Sequence, residues 1–478
     1  MQKIITNNFR TGNNGNGRES QGEKLRFTYN ESSISSDVLI NLKTKLLAIG
    51  IFAFYFIQQG TVGLIPQKYL FIYRSVNFSD LILYSLIFYS LICYKEYKDL
   101  FNSKSLIIVK LIFLYFIFEF FVSYLRYNFD PIEYFFRVKG VWYPFLIFPF
   151  LLLIKRNGLT FFIKLIFPVA VISNILYIPT ALTGTAFLDG VTIIRQQLPV
   201  GMEVYRVYGG TFFGELFFLG MVYYWITKRF KVWHLFPVVL FIIPHILAFG
   251  RIAWAYFVFT IIIMVVINSV KKKLFRILVR HTIILIVLLV AVVYGFLKFI
   301  PESDYYVSAL ESRLTQGQED VTYSEGTYGT RTDLQNNSLM RLWSKSNLFL
   351  GIGMHPMWVE SPQSYEEYLY YIAFCDAGYM AVIAAYGLIG IFLAVIFQIQ
   401  YIFVSFKLLR KITDGTINGF FITVLFAKLL FDTLICFSFV LVSFNLWGLS
   451  YIYLYIPFFV YVYEQNRKNE LAVTEVNK

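Results

Sequence analysis

Arginine is the residue whose placement in this chain points to chemistry. Arg195 and Arg206 fall in the polar stretch 183–210, the second inside EVYRVYGGTFFGE, and Arg251 sits in AFGRIAWA between two apolar runs. Arg313, Arg331 and Arg341 lie in the long polar stretch 301–371. A guanidinium group carries a rigid donor fork that matches phosphate oxygens and stays charged at any ordinary pH. Several of them converging from separate loops make a site for a diphosphate. Arg206, Arg251 and Arg341 lead the set, because each stands in glycine- and aromatic-rich sequence at the edge of an apolar run. Gly209 and Gly210 follow Arg206, Gly250 precedes Arg251, and Gly351 and Gly353 follow Arg341, so the backbone near each arginine can turn tightly or be approached closely. An arginine in an ordinary polar loop, such as Arg195 or Arg331, serves equally well as a headgroup anchor.

A carboxylate completes the pattern. Asp376, in FCDAGYM, stands where the chain re-enters apolar sequence, and there it can orient or deprotonate a hydroxyl. It is also a favoured cap for a helix starting near Gly378, and the two roles are compatible. His355, in GMHP, is a second candidate base or an ordinary turn residue. Metal chemistry is not expected. The four histidines, His234, His245, His281 and His355, never fall at helical ligand spacing, and Cys93, Cys375 and Cys436 are odd in number and widely separated. The acidic residues of 301–371 read as a solvated face. No cofactor is implied.

The elements that must position these residues are membrane helices. At 58% hydrophobic and 20% aromatic residues the chain lies far from soluble globular composition, so the bilayer is its solvent. The hydrocarbon core asks for about 20 apolar residues per crossing. Such runs lie near 39–58, 78–94, 106–125, 140–154, 160–182 and 211–227, then near 232–249, 252–270, 281–300, 379–406, 417–437 and 439–463. The expected fold is therefore all-α and polytopic, with about twelve transmembrane helices. Lysine and arginine in short loops mark the side that is not translocated. Lys43, Lys45, Lys95, Lys98, Lys104, Lys155, Arg156, Lys228, Arg229 and Lys231 all fall on one side, as do the basic residues at 271–280, 407–411 and 467–468. Both termini are then cytoplasmic and the arginine-bearing loops external. The net charge of +13 is accounted for by this anchoring and does not imply a nucleic-acid partner.

The expected organisation is a disordered cytoplasmic tail at 1–37 and nine helices over 38–300. A large external loop at 301–371, between helices 9 and 10, follows. Three further helices occupy 372–465, and a cytoplasmic tail fills 466–478. The tail's GNNGNG lacks both a preceding strand and the Gly-Lys-Ser/Thr of a phosphate loop. Charges within the expected spans are few, chiefly Glu119, Glu215, Lys428 and Asp432. The last two are four residues apart on one helix face and are expected to pair.

Four short segments resemble the bacterial O-antigen polymerase and O-antigen ligase superfamily, which includes capsular and exopolysaccharide repeat-unit polymerases. Arg206 with Gly209 and Gly210 resembles its arginine-glycine segment at the start of a middle span. Gly250-Arg251-Ile252-Ala253-Trp254 resembles its Ser-Arg-Gly-Ala turn, with glycine in place of serine. Arg341-Leu342-Trp343 with Gly351-Ile352-Gly353 resembles part of its large loop, although the Arg-to-Trp interval is shorter. Asp376-Ala377-Gly378-Tyr379 through Tyr386-Gly387-Leu388-Ile389-Gly390 resembles its re-entry segment. Ligases usually carry a histidine-asparagine pair where this chain has Cys375-Asp376, which favours a polymerase.

The resemblance implies a metal-independent, inverting glycosyltransferase in the cytoplasmic (inner) membrane of a bacterium, with its active face periplasmic or extracellular. Its substrates would be polyprenyl-diphosphate-linked oligosaccharides, in a setting of membrane lipid, with a chain-length regulator as a further candidate partner. Asp376, Arg341, Arg251 and Arg206 are its expected catalytic residues. Arg195, Arg331, Trp343, His355 and Tyr379 are its expected substrate contacts. The alternatives are a ligase-type transferase and a lipid-linked oligosaccharide flippase. A transporter would show internal repeats and charged or broken helices at mid-membrane depth, and no repeat between the halves is visible.

Overall fold

Long apolar runs leave the backbone no hydrogen-bond partner but itself, so they fold as helices. A computed structural model describes residues 42–57, 69–73, 76–127, 130–137, 142–187, 192–197, 203–208, 213–227, 235–248, 250–272, 348–351, 353, 379–412, 415–435 and 455–476, with scattered positions between 279 and 315. In chain order, α1 (Leu42–Ile57) leads to a two-stranded ribbon of β1 (Phe71–Tyr73) and β2 (Val76–Asn77), then α2 (Phe78–Ile92) and α3 (Tyr94–Phe101). Next come α4 (Ile107–Tyr127), α5 (Pro131–Arg137), α6 (Ile147–Thr183) and a second ribbon of β3 (Thr192–Gln197) and β4 (Glu203–Tyr208). The remainder is α7 (Gly214–Thr227), α8 (Leu235–Leu247), α9 (Arg251–Lys272), α10 (Tyr379–Leu409), α11 (Ile417–Ile435) and α12 (Ile456–Val476).

Five described helices are long and apolar enough to cross a membrane: Lys104–Arg126, Tyr143–Thr183, Ala253–Val270, Val382–Leu409 and Ile417–Leu434. The α2–α3 pair, bent by 85°, makes a sixth if it is taken as one broken span. The chain is thus a helical, multi-pass membrane protein. Its packing is dominated by aromatic residues, with Tyr55, Tyr97, Tyr134, Tyr177, Tyr386 and Tyr401 among the largest fully buried side chains.

Helix α6 is not one straight rod. Gly158 adopts φ 79° and ψ 171°, and the rings of Phe150 and Phe162 meet edge to face with centroids 4.9 Å apart. On a straight helix, residues twelve apart are about 18 Å apart. The chain therefore doubles back at Gly158, beside Lys155 and Arg156, between a leg from Ile147 and a leg to Thr183.

One end of the bundle is a layer of ion pairs. Helix α3, which the sequence offered only as a loop, presents Glu96 to Arg156 through a two-armed contact at 2.8 Å and Asp99 to Lys155 at 2.6 Å. Lys468 of α12 reaches the same Asp99 at 3.1 Å, and Lys411 reaches Glu470 at 2.6 Å. Basic residues that the sequence assigned to a single side thus share acids at one end. The stretch 183–210 contains the β3–β4 ribbon, and the expected tail 466–478 is helical to Val476, supported by Asn466 donating to Glu470 one turn on at 2.7 Å. The tail expected at 1–37 and most of the expected loop 301–371 lie outside the described residues.

Candidate functional site

The β3–β4 ribbon carries two of the sequence-predicted arginines. Its register sets Arg195 opposite Tyr205 and Ile194 opposite Arg206, so the two arginine positions fall on neighbouring rungs. Arg195 is exposed. The ribbon is fastened to the end of α6: the Tyr177 hydroxyl donates to the Val207 carbonyl at 2.9 Å, and Gly184, at φ 65°, lies against the Tyr205 ring. A Cβ at Gly184 would stand 2.6 Å from that ring, so only glycine fits the left-handed cap there.

Beyond the ribbon the chain enters α7 through Phe213. Its φ of 60° is a strained value for a bulky residue, held by burial and an edge contact with Tyr55 at 5.1 Å. Strain of this kind persists only where the surroundings over-determine it.

Arg251 is the first residue of α9, reached from α8 by a short turn. The Trp254 indole donates to the His245 carbonyl at 3.0 Å, and the Trp254 amide donates to the Gly250 carbonyl at 3.2 Å, which fixes the turn. Below it, Lys428 of α11 pairs with Asp432 at 3.4 Å and stands 4.3 Å over the Tyr256 ring of α9. Glu215, in the first turn of α7, is within electrostatic reach of both charges. The expected Lys428–Asp432 pair is present, and it joins three helices.

The most constrained local geometry surrounds Gly387. Helix α10 is broken there, with φ 64° and ψ −166°, and the break strands backbone groups that a continuous helix would pair. A strip from Leu348 to Gly353 takes them up. The Leu388 amide donates to the Leu348 carbonyl at 2.8 Å, the Ile389 amide to the Phe349 carbonyl at 3.4 Å, and the Gly353 amide to the Ala385 carbonyl at 3.0 Å. The Tyr115 hydroxyl of α4 donates to the Tyr386 carbonyl at 2.6 Å. Irregular backbone at membrane depth is tolerated only when protein satisfies it in this way. The strip lies so close that a Cβ at Gly351, whose φ is 68°, would meet the Ala384 carbonyl oxygen at 2.6 Å.

No family model matches this chain, and no curated protein matches it.

Helix α4 forms the wall facing the strip. The Arg126 guanidinium donates to the Gly351 carbonyl at 3.1 Å. Seven residues earlier, Glu119 is 0% exposed, and the Tyr115 hydroxyl, which donates to the Tyr386 carbonyl, lies close to its carboxyl group. Between them, Ser123 fills the space where Gly353 would carry a side chain. Positions 119, 123 and 126 recur at i, i+4 and i+7, which is one helical face.

Of the predicted site residues, Arg195, Arg206, Arg251 and Tyr379 fall in described elements, Tyr379 as the first residue of α10. Arg331, Arg341, Trp343, His355 and Asp376 lie outside the described residues. The structure joins two of the four motif segments, Gly351–Gly353 and Tyr386–Gly390. Sequence reasoning saw Glu119 only as a charge inside a span, although Glu119, Ser123 and Arg126 at helical spacing were a readable signal. Among the described residues no group of three or more His, Cys, Asp or Glu side chains could hold a metal ion.

Proposed function

We propose that the chain is a polysaccharide polymerase that joins polyprenyl-diphosphate-linked oligosaccharide repeat units at the outer face of a bacterial cytoplasmic membrane. The observation that carries the reading is the docking of Gly351–Gly353 onto the break at Gly387. The resemblance draws on both stretches, which more than thirty residues separate, and the bonds between them run from the Leu388 and Ile389 amides to the Leu348 and Phe349 carbonyls and from the Gly353 amide to the Ala385 carbonyl, beside the motif residues. The reading adopts about twelve spans with both termini cytoplasmic. On that topology the α3–α12 ion layer is internal, while Arg206, Arg251 and the Gly387 break belong to the external half.

In this mechanism Arg206, Arg251 and Arg341 hold the donor's diphosphate, with Arg195 and Arg331 as flanking contacts. Charge that grows on the departing diphosphate is met by guanidinium groups fixed in a water-poor site, where each is worth more than in bulk water. Asp376 orients the acceptor hydroxyl, which attacks the anomeric carbon in line and inverts it. His355, Trp343 and Tyr379 line the saccharide side. The Cys375-Asp376 pair favours polymerase over ligase.

The test is the lipid-linked glycan profile. A deletion strain is expected to accumulate single repeat units on the lipid carrier, and Arg251→Ala or Arg341→Ala is expected to reproduce this at unchanged membrane protein level. Long polymer made normally by both variants would overturn the assignment. Repeat units trapped on the cytoplasmic face would point instead to a flippase.

A further inference from the structure

At the ion-paired end, Lys155, Arg156, Lys411 and Lys468 each meet a carboxylate. Lys407 and Arg410, at the end of α10 beside Lys411, meet none among the described residues. Each lies instead over a ring of its own helix one turn back. The Lys407 ammonium stands 4.3 Å from the centre of the Phe403 ring, and the Arg410 guanidinium 4.4 Å from that of Phe406. All four side chains are exposed. Their spacing puts them on one face of α10, and Ile399, also exposed, continues that face one turn deeper. Phe406 is fixed from behind by stacking on Phe426 of α11, with ring centroids 6.0 Å apart. The face belongs to a helix of membrane-crossing length, so bilayer is what covers it.

A cation drawn over a ring is held where the ring is, here at the edge of the hydrocarbon, and much of its side-chain freedom is already surrendered before a ligand arrives. Phosphate is the anion found at that depth, and the guanidinium fork matches its oxygens. Two neighbouring cations repel the ammonium of a zwitterionic headgroup and leave a net acidic one attracted. Half of the hydrocarbon core is about 15 Å deep, the rise of about ten helical residues, so an acyl chain descending from Lys407 runs past Phe403 and Ile399. We infer that this face of α10 is a binding site for one acidic phospholipid, with its phosphate between Lys407 and Arg410 and an acyl chain along Phe403 and Ile399. The site lies at the opposite end of α10 from the Gly387 break and does not rest on the polymerase reading.

The probe is dioleoyl phosphatidylglycerol, offered to the purified protein in nanodiscs of phosphatidylcholine and read by native mass spectrometry and by melting. Wild type should retain one phosphatidylglycerol in preference to phosphatidylcholine and melt higher when it is present. Each cation removed should weaken retention about fivefold, so that Lys407→Ala with Arg410→Ala weakens it about 25-fold. Lys98→Ala removes an exposed cation of α3 at the same end and should leave retention unchanged. In phosphatidylcholine alone the double variant should melt like wild type, and phosphatidylglycerol should no longer raise its melting temperature. Equal retention of the two lipids by wild type, or a loss in Lys98→Ala as large as in the double variant, would reduce the effect to general surface charge and overturn the inference. A double variant that still holds phosphatidylglycerol, or that already melts lower in phosphatidylcholine alone, overturns it as well.

Discussion

Gly158 and Gly387 break their helices with nearly the same backbone geometry, φ 79° and ψ 171° against φ 64° and ψ −166°, and the chain uses them in opposite ways. Both conformations lie in a region that only glycine occupies freely. At Gly158 nothing lies within 4 Å of where a Cβ would be, and the break serves to reverse the chain between two packed legs at the ion-paired end. At Gly387 the Cβ position is filled by the backbone of Phe349 and Leu350, and the break exists to receive another segment. One glycine makes a turn. The other makes a binding edge within a helix.

The contrast predicts unequal costs for equal substitutions. Gly387→Ala must relieve a forbidden backbone conformation and expel the strip, losing the three backbone hydrogen bonds the strip makes at the break. Strain of about 1–3 kcal/mol plus about 1 kcal/mol for each lost bond gives a destabilisation of about 4 kcal/mol or more. The expected readouts are a melting temperature lowered by many degrees in detergent and new protease cleavage within 348–353. A variant that melts like wild type would show that the strip does not depend on the break. Gly158→Ala should cost only the strain, about 1–3 kcal/mol, with no change in protease access at 348–353. If the two variants were equally damaging, the open space around Gly158 would not be what distinguishes them.

The same pair explains what the sequence revealed and what it concealed. The break at Gly158 was legible because Lys155 and Arg156 interrupt the apolar run, and charge is what hydropathy reads best. The break at Gly387 sits in AAYGLIGI, where no charge marks it, so 379–406 reads as one continuous span. Its partner strip lies more than thirty residues upstream, and periodicity carries no information about such a pairing. The β3–β4 ribbon was hidden for a different reason. TIIRQQ and EVYRVY are strand-like, but the LPVGM between them lacks the Asn-Gly or Asp-Gly that announces a two-residue hairpin. Helix α3 was missed because eight residues of YKEYKDLF are too short and too charged to be read as a membrane element. They lie across the end of α2, with Tyr97 buried and its hydroxyl donating to the Ser90 carbonyl at 3.1 Å. Of the site, the arginine positions were legible from type and context, whereas the surroundings of Glu119 depend on how the strip packs against α4.

The smallest effect belongs to the ion-paired end, where charges are satisfied and wet. Lys411 donates to Glu470 and holds its carboxyl below the usual glutamate range, against a weaker opposing effect of burial and with help from Asn466. A carboxylate whose folded value is depressed stabilises the protein above its unfolded value, about 4.3, and loses that contribution as the pH falls through the folded value. Both side chains are about half exposed, at 53% and 50%, so solvent screens the pair and it contributes no more than about 0.5 kcal/mol. Lys411→Ala should therefore melt slightly below wild type at pH 7, equal it near pH 3, and lose the difference in high salt. A large, salt-resistant difference would mean that this end is as tightly specified as the Gly387 seam. The contrast drawn from the two glycines would then be confined to backbone strain and would not extend to the charges around them.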